Sequence, residues 1–375
     1  MNLNIKELEK WTNAFGPSGF ERDVTKQVKE YTQQFADEVL QDRIGSIIFK
    51  KGDKGPKIML AGHNDEVGFI VSGINKSGFI TFNPLGGWWD QVLLSQRVLI
   101  KIRDGTLVKG VICSKPPHIL TSEERNKVLT KDKMFIDVGC KNDKEVKALG
   151  VKIGDPIVPD AKFELWKRKR IEKDEETGKE IERDVTLGVA KAFDDRVGMF
   201  IVSEVMRRLK EEKIKHPNQV FGVATVQEEV GLRGARTAAQ VIKPDVGFAI
   251  EVDIAGDVPG VEKSQSPAEM SKGPSILTAD GSMLPNPNLK HFVIDIAEEL
   301  GIDYQLSILA RGGTDAGIIH LTGAGCPSLV ISIPTRHIHS HYGILDLEDV
   351  EKAVNLLLEV IKRLNEKTVE SFTAL

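Results

Sequence analysis

Long apolar runs are missing from this 375-residue chain. No uninterrupted stretch approaches the roughly 18–20 residues that a membrane span requires, so no membrane association is expected. The opening MNLNIKELEKW is polar and mixed in charge, without the apolar segment of a secretory leader. Cysteine is scarce. Cys113, Cys140 and Cys326 are far apart and odd in number, which excludes a disulfide framework, argues against a cysteine-ligated zinc site and makes a reducing cytoplasm the expected location. An excess of one charge is also lacking. Lys and Arg number 51 against 55 Asp and Glu, a net −4, so the basic footprint of a nucleic-acid partner is not expected. Aromatics make up only 6%. There is no G-x-S-x-G elbow, no P-loop and no G-x-G-x-x-G, which sets aside serine-hydrolase and nucleotide-binding readings. Present instead is 41% hydrophobic residues, enough for one large core or two to three smaller ones.

The text of the chain changes character twice. Phe20, Val24, Val28 and Tyr31 recur at helical spacing, and SIIFKKG and KIMLAG then read as strands. From about Val67 to Pro159 helix periodicity nearly vanishes. VGFIVSGI, GFITF, RVLIKI and TLVKGVICS are short β-rich runs broken by Gly or Asp, which predicts a small all-β insertion over 68–159 within a domain made of 1–67 and 160–375. The charged stretch 164–184 around Thr177-Gly178 reads as an exposed hairpin or flap, or simply a solvated run. After Leu187, helices and apolar strands alternate. DRVGMFIVSEVMRRLKEE, NLKHFVIDIAEELG and LEDVEKAVNLLLEVIKRL are helical, whereas QVFGVATVQ, DVGFAIEV and PSLVISIP are strands. That order predicts a doubly wound α/β sheet, mixed in direction and covered by helices on both faces.

Polar residues collect where such a sheet binds ligands, outside the carboxyl ends of its strands. KIMLAG runs into His63 and Asp65, VFGVATVQ into Glu228 and Glu229, VGFAI into Glu251 and Asp253, and PSLVISIP into His337 and His339; Asp194-Asp195 precedes a helix. Each cluster alone has an ordinary explanation. A histidine at a strand end is usually a hydrogen-bonding residue, an Asp-Asp pair before a helix is usually an N-cap, and His337, His339 and His341 alternate as though on one face of an exposed strand. Jointly they are the inventory of a two-metal site: imidazoles, several carboxylates with one to bridge, and one carboxylate left free as a base.

Six ordered motifs, GHNDEVGF (62–69), KAFDDRVG (191–198), VQEEVGLRGA (226–235), EVDIAGDVPG (251–260), GGTDAG (312–317) and IPTRHIHS (333–340), span nearly the whole chain. In them the sequence resembles the M42 metallo-aminopeptidases, the tetrahedral or glutamyl aminopeptidase group. The resemblance implies the dinuclear-metal exopeptidase type of α/β fold, a peptide substrate and two divalent ions, for which oxygen and imidazole ligands suit Zn, Co or Mn. His63 would bind one ion, Asp194 would bridge both, and Glu229 and His339 would complete the second. Glu251 stands where the family usually has aspartate and would complete the first ion, with Asp253 its rival. Glu228 would be the general base toward a metal-bridged hydroxide, and Asp65 would orient His63. His337 stands where tyrosine is more usual, and it and His341 would be bystanders. The insertion matches the family's dimerisation domain, which implies dimers assembling to a dodecamer, with Trp88 and Trp89 as interface anchors or ordinary packing. Arg311, just before GGTDAG, is the feature that points to acidic N-terminal side chains. The competing readings are a β-1,4-glucanase-type glycosidase using Glu228 and Glu229 as its carboxylate pair, which leaves His63, Asp194 and His339 without a task, and a catalytically weakened assembly protein.

Overall fold

The computed structural model describes residues 2–173, 178–309 and 311–374. In chain order its strands are β1 (Glu38–Gln41), β2 (Ile47–Lys51), β3 (Lys57–His63), β4 (Gly68–Ile74), β5 (Phe79–Leu85), β6 (Arg97–Lys101), β7 (Leu107–Cys113), β8 (Phe135–Asp137), β9 (Pro156–Pro159), β10 (Glu164–Lys173), β11 (Glu180–Ala190), β12 (Gln219–Thr225), β13 (Val246–Ile254), β14 (Ser275–Ala279), β15 (Gln305–Ile308), β16 (Ser328–Thr335) and β17 (Gly343–Asp346).

Eight strands make one mixed sheet in the order β1-β2-β12-β3-β13-β16-β14-β15. Its four central strands, β12, β3, β13 and β16, run parallel. Their side chains alternate between two cores, as the period of two demands. Along β3, Ile58 and Leu60 face the core built with the helices Ile5–Asn13, Arg22–Thr32, Phe193–Glu211, Pro287–Leu300 and Leu347–Arg363. Met59 and Ala61 face the opposite core, with Ala235, Ala238, Ala239 and Ile242 of the helix Arg233–Ile242. Burial on both faces explains why these strands read as continuous apolar runs rather than alternating ones.

Strands β4 to β9 close into a separate antiparallel barrel, in the order β4-β5-β8-β7-β6-β9, around its own core of Phe69, Val71, Ile80, Val98, Ile100, Ile112 and Ile136. Closure leaves it no free sheet edge. Trp88 stacks on Phe69 with ring centroids 4.7 Å apart and donates Nε1–H to the Gly68 carbonyl at 3.1 Å, whereas Trp89 is 62% exposed.

The charged stretch forms a hairpin, β10 pairing with β11 from Glu164↔Val189 to Lys173↔Glu180, and β11 continues onto β17. The tip, including Thr177, lies outside the described residues. Two expectations are corrected. The N-terminal helix stripe begins at Val24, because the helix starts at Arg22 and Phe20 is exposed ahead of it. His337, His339 and His341 do not share a strand face: β16 ends at Thr335, and His337 and His339 take positive φ angles of 61° and 53° in the loop beyond. Among the described residues, no helix is long and apolar enough to cross a membrane.

Candidate active site

The carboxyl ends of the four parallel strands deliver their polar residues to one cleft of about 690 Å³. It is lined by His63, Asp194, Glu228, Glu229, Glu251 and His339, with apolar walls from Leu232, Ile254, Leu309 and Ile338. Asp194 sits at the centre. Its Oδ1 is 3.1 Å from His63 Nε2 and its Oδ2 is 3.1 Å from His339 Nε2. Around this axis the adjacent glutamates serve different histidines: Glu228 Oε2 is 3.7 Å from His63 Nε2, and Glu229 Oε2 is 3.6 Å from His339 Nε2. Glu251 Oε2 lies 3.9 Å from His63 Nε2. Asp253 is turned elsewhere, its Oδ2 accepting the Ser307 hydroxyl at 2.5 Å.

Local backbone geometry explains the convergence. The helix Phe193–Glu211 begins irregularly, with Asp194 and Asp195 outside helical φ/ψ. Asp195 then performs the capping task expected of the pair: its Oδ1 accepts the Gly198 N–H at 3.1 Å. Its Oδ2 accepts the His63 N–H at 3.1 Å, tying this helix start to the end of β3. Gly198 cannot be larger, since a Cβ there would stand 2.0 Å from the Ile250 carbonyl oxygen on β13. Capping by Asp195 leaves Asp194 free to face the cleft. Leu232 and His339, which line the cleft, have positive φ, as do Ala192, Gln227 and His337 close to cleft residues in the chain. Such conformations cost of order 1–3 kcal/mol each and persist where surrounding structure imposes them.

Asp65 is fully buried and holds three segments together. Its Oδ1 accepts the Glu228 N–H at 3.0 Å, and its Oδ2 accepts the Glu229 N–H at 3.2 Å and the Ser18 hydroxyl at 2.7 Å. It stands beside His63 Nδ1 at 3.5 Å, but the shorter contact of that nitrogen is with the Asp65 carbonyl oxygen, 3.0 Å. Burial opposes the Asp65 charge, yet its contacts with His63, Ser18 and the Glu228 N–H hold its pKa below the usual carboxylate range. The glutamate loop has a second anchor that sequence reasoning missed: Glu21 Oε1 accepts the Gln227 N–H at 3.0 Å.

The electrostatics call for cations. His63 Nδ1 faces the Asp65 carbonyl, and His339 Nδ1 faces the Gly87 carbonyl at 2.7 Å. A carbonyl only accepts, so each Nδ1 carries the hydrogen, and a neutral ring then turns its Nε2 lone pair on Asp194. Two acceptors at 3.1 Å need a proton or a cation between them. The spacing is close to the roughly 3.3 Å edge of a tetrahedral site with 2.0–2.2 Å bonds. Glu229 Oε1 is buried without a hydrogen-bond partner. Burial pushes Glu229 up to about 8 and holds Glu228 and Glu251 well above the usual range. Burial works against charge on His339, but Glu229 and Asp194 raise it to about 10. Arg311 is the one Lys or Arg among the described residues lining the cleft. Two ligand sets have atoms within 4.8 Å of one another, His63–Asp195–Glu251 and His63–Asp194–Glu229. The residues present therefore fit divalent cations. His337 and His341 stay apart, and His341 is buried beside Trp88, ring centroids 5.7 Å apart.

Comparison with known proteins gives this geometry its context. The family model of the M42 glutamyl aminopeptidases matches residues 45–175 and 176–356. A TET aminopeptidase from a marine-sediment Thaumarchaeota archaeon superposes with a TM-score of 0.91 at 52% identity, over 98% of this chain and 99% of that one. The glutamyl aminopeptidase of Lactococcus lactis is 32% identical over 94% of both chains. The Pyrococcus horikoshii protein PhTET1, solved as a dodecamer, has a TM-score of 0.81 at 29% identity, over 96% of this chain and 99% of its own. The chain thus belongs to the M42 glutamyl aminopeptidase family and is a peptide hydrolase of that class.

Proposed function

We propose that this protein removes N-terminal residues from short peptides at a dinuclear metal centre in the cleft described above. The observation that carries the reading is Asp194, whose two oxygens each face the Nε2 of a different histidine whose Nδ1 is already committed to a carbonyl. His63 and Glu251 would hold one divalent ion, His339 and Glu229 the other, with Asp194 shared between them. Asp195 is assigned to neither, because both its oxygens already accept backbone N–H groups. The ions, Zn, Co or Mn by ligand type, would supply Lewis acidity to polarise the scissile carbonyl and acidify water.

The chain's own residues do the rest. Glu228 lines the cleft with its Oε2 3.7 Å from His63 Nε2 and is left free of both ions in this assignment; nearby cations would keep it ionised and able to accept a proton. It takes a proton from the attacking water and returns it to the leaving amine, the two halves of general acid–base work. Asp65 holds both glutamates through their N–H groups, and the apolar walls exclude competing water. A free α-amine on the substrate would be a further ligand for an ion held by these residues, which would select for N-termini.

We further propose that 68–159 is the assembly unit of a dimer-based dodecamer, the remaining chain forming the catalytic unit. Exposed Trp89, Ile119 and Val128 on that segment are available to bury. Paired p-nitroanilides with free and acetylated amines test the chemistry. Cleavage of the free-amine member alone is expected, and equal cleavage of both would overturn the exopeptidase reading. Light scattering tests the assembly, which a monomeric mass would refute.

A further inference from the structure

A second buried cluster lies behind the cleft and takes no part in the chemistry assigned so far. Glu66, Lys191 and Arg196 are 1%, 3% and 0% exposed. Lys191 Nζ donates to both oxygens of Glu66, at 2.6 and 2.7 Å, and to the Ala14 carbonyl at 3.0 Å. Arg196 Nη2 donates to Glu66 Oε1 at 2.9 Å and to the Gly16 carbonyl at 3.1 Å. Its Nε reaches the Asn64 carbonyl at 3.0 Å, and its Nη1 reaches the Trp11 and Ala14 carbonyls at 2.8 and 2.7 Å.

The places of these residues in the chain give the cluster its meaning. Glu66 directly follows the segment bearing His63 and Asp65, while Lys191 and Arg196 bracket Asp194 and Asp195. Every ion pair of the cluster therefore crosses from the β3 end to the start of the helix Phe193–Glu211, the two segments whose side chains meet as His63 and Asp194. Apart from that of Asn64, the carbonyls that complete the cations belong to 11–16, just before Ser18, which hydrogen-bonds Asp65. Stability alone is a weak reason to bury three charges, because desolvation offsets much of their attraction. Fixing the separation of His63 Nε2 and Asp194 Oδ1, two acceptors that face one another at 3.1 Å, is a task the geometry does support.

We propose that Glu66, Lys191 and Arg196 are a positioning unit that holds His63 and Asp194 at their mutual distance before any cation arrives. The inference rests on the metal-centre reading. Residues that orient ligands without touching the ion change metal affinity by about 10- to 100-fold when altered.

The test uses the full chain, stripped of metal and titrated with Zn²⁺ against a chromogenic chelator, with far-UV circular dichroism on each sample. Glu66→Gln and Lys191→Gln are compared with Glu351→Gln, which breaks the equally close Arg208–Glu351 pair (2.5 Å) farther along the same helix. The expected result is a rise of about 10- to 100-fold in the zinc dissociation constant for Glu66→Gln and Lys191→Gln, with Glu351→Gln within about twofold of the parent. Should Glu66→Gln fail to fold, Lys191→Gln, which keeps a donor toward Ala14, decides alone. Parental zinc affinity in the folded variants, or an equal loss in Glu351→Gln, overturns the proposal. A parent chain that takes up no zinc overturns the metal-centre reading itself.

Discussion

Replacing Asp65 by asparagine removes one charge and one acceptor from the point where three segments meet. Asparagine offers a single oxygen, best used on the Glu229 N–H and the Ser18 hydroxyl that now share Oδ2. The Glu228 N–H, 3.0 Å from Oδ1, then faces an amide NH₂. A buried donor left without an acceptor costs about 1–3 kcal/mol, and each remaining bond falls from the charged class, about 1.5–3, to the neutral class, about 0.5–1.5 kcal/mol. One orphaned donor and two weakened bonds together come to about 3–6 kcal/mol, expressed in the placement of Glu228 and Glu229, hence roughly 10²- to 10⁴-fold in kcat/KM. Initial rates on an aminoacyl-p-nitroanilide at saturating metal give the value. Ser18→Ala removes one bond to the charged carboxylate and should cost about 1.5–3 kcal/mol, roughly 10- to 150-fold. Because the two side chains share an oxygen, the double variant should lose less than the product of the single losses. An Asp65→Asn enzyme within about threefold of the parent would refute the argument that this carboxylate holds the glutamate loop.

The remaining predictions concern the walls around that loop. A Cβ at Gly87 would stand 3.2 Å from His339 Nδ1, so Gly87→Ala should displace the imidazole by a few tenths of an ångström and lower kcat with little change in unfolding temperature; unchanged kcat would show that the barrel does not orient His339. Burial, followed by the Asp65 charge, raises Glu21 to about 7 from 4.5. A carboxyl whose folded pKa is raised contributes stability below about pH 4.5 that is lost as the pH climbs through 7. Glu21→Gln, which stays neutral, should therefore gain on the parent by up to about 1.4 kcal/mol per pH unit between pH 5 and 7 in denaturant unfolding of metal-stripped protein. Parallel stability curves would contradict this. Arg311 on the cleft wall should make glutamyl p-nitroanilide a better substrate than leucyl, with Arg311→Ala reversing the order; faster leucyl cleavage by the parent would remove Arg311 from specificity.

The legible and illegible parts of this molecule divide along the range of the interactions. Strands β3, β12, β13 and β16 were readable because burial on both faces makes their text continuously apolar, and their polar ends could be placed on one rim by a general rule of parallel sheets. The β-rich character of 68–159 was readable from the loss of helical period, whereas its closure into a barrel was not. Edge strand β1, EVLQ, is only four residues long, too short to show a strand period, and pairs with β2 along its whole length. Residue type alone did not divide Asp194 from Asp195, since both look like caps; the resemblance singled out Asp194, and the structure adds that Asp195 is committed to backbone N–H groups. Alternation of the three histidines gave a strand period where the chain makes a strained loop, because spacing carries no information on φ. Glu21 and the Glu66–Lys191–Arg196 cluster were invisible for a plainer reason. A charged residue announces burial only through partners more than a hundred residues away, Gln227 for Glu21 and Lys191 for Glu66.

The central claim is that metal ions and Glu228 act together in one cleft. Chelator-stripped protein is assayed on a panel of aminoacyl-p-nitroanilides after separate addition of Zn, Co, Mn and Mg, with Glu228→Gln alongside and bound metal counted in both. Activity should disappear on stripping and return with at least one metal. Glu228→Gln should bind the same amount of metal but lose about 10²- to 10⁴-fold in kcat, the usual worth of a general base. Activity untouched by stripping, or a fully active Glu228→Gln enzyme, would contradict the claim.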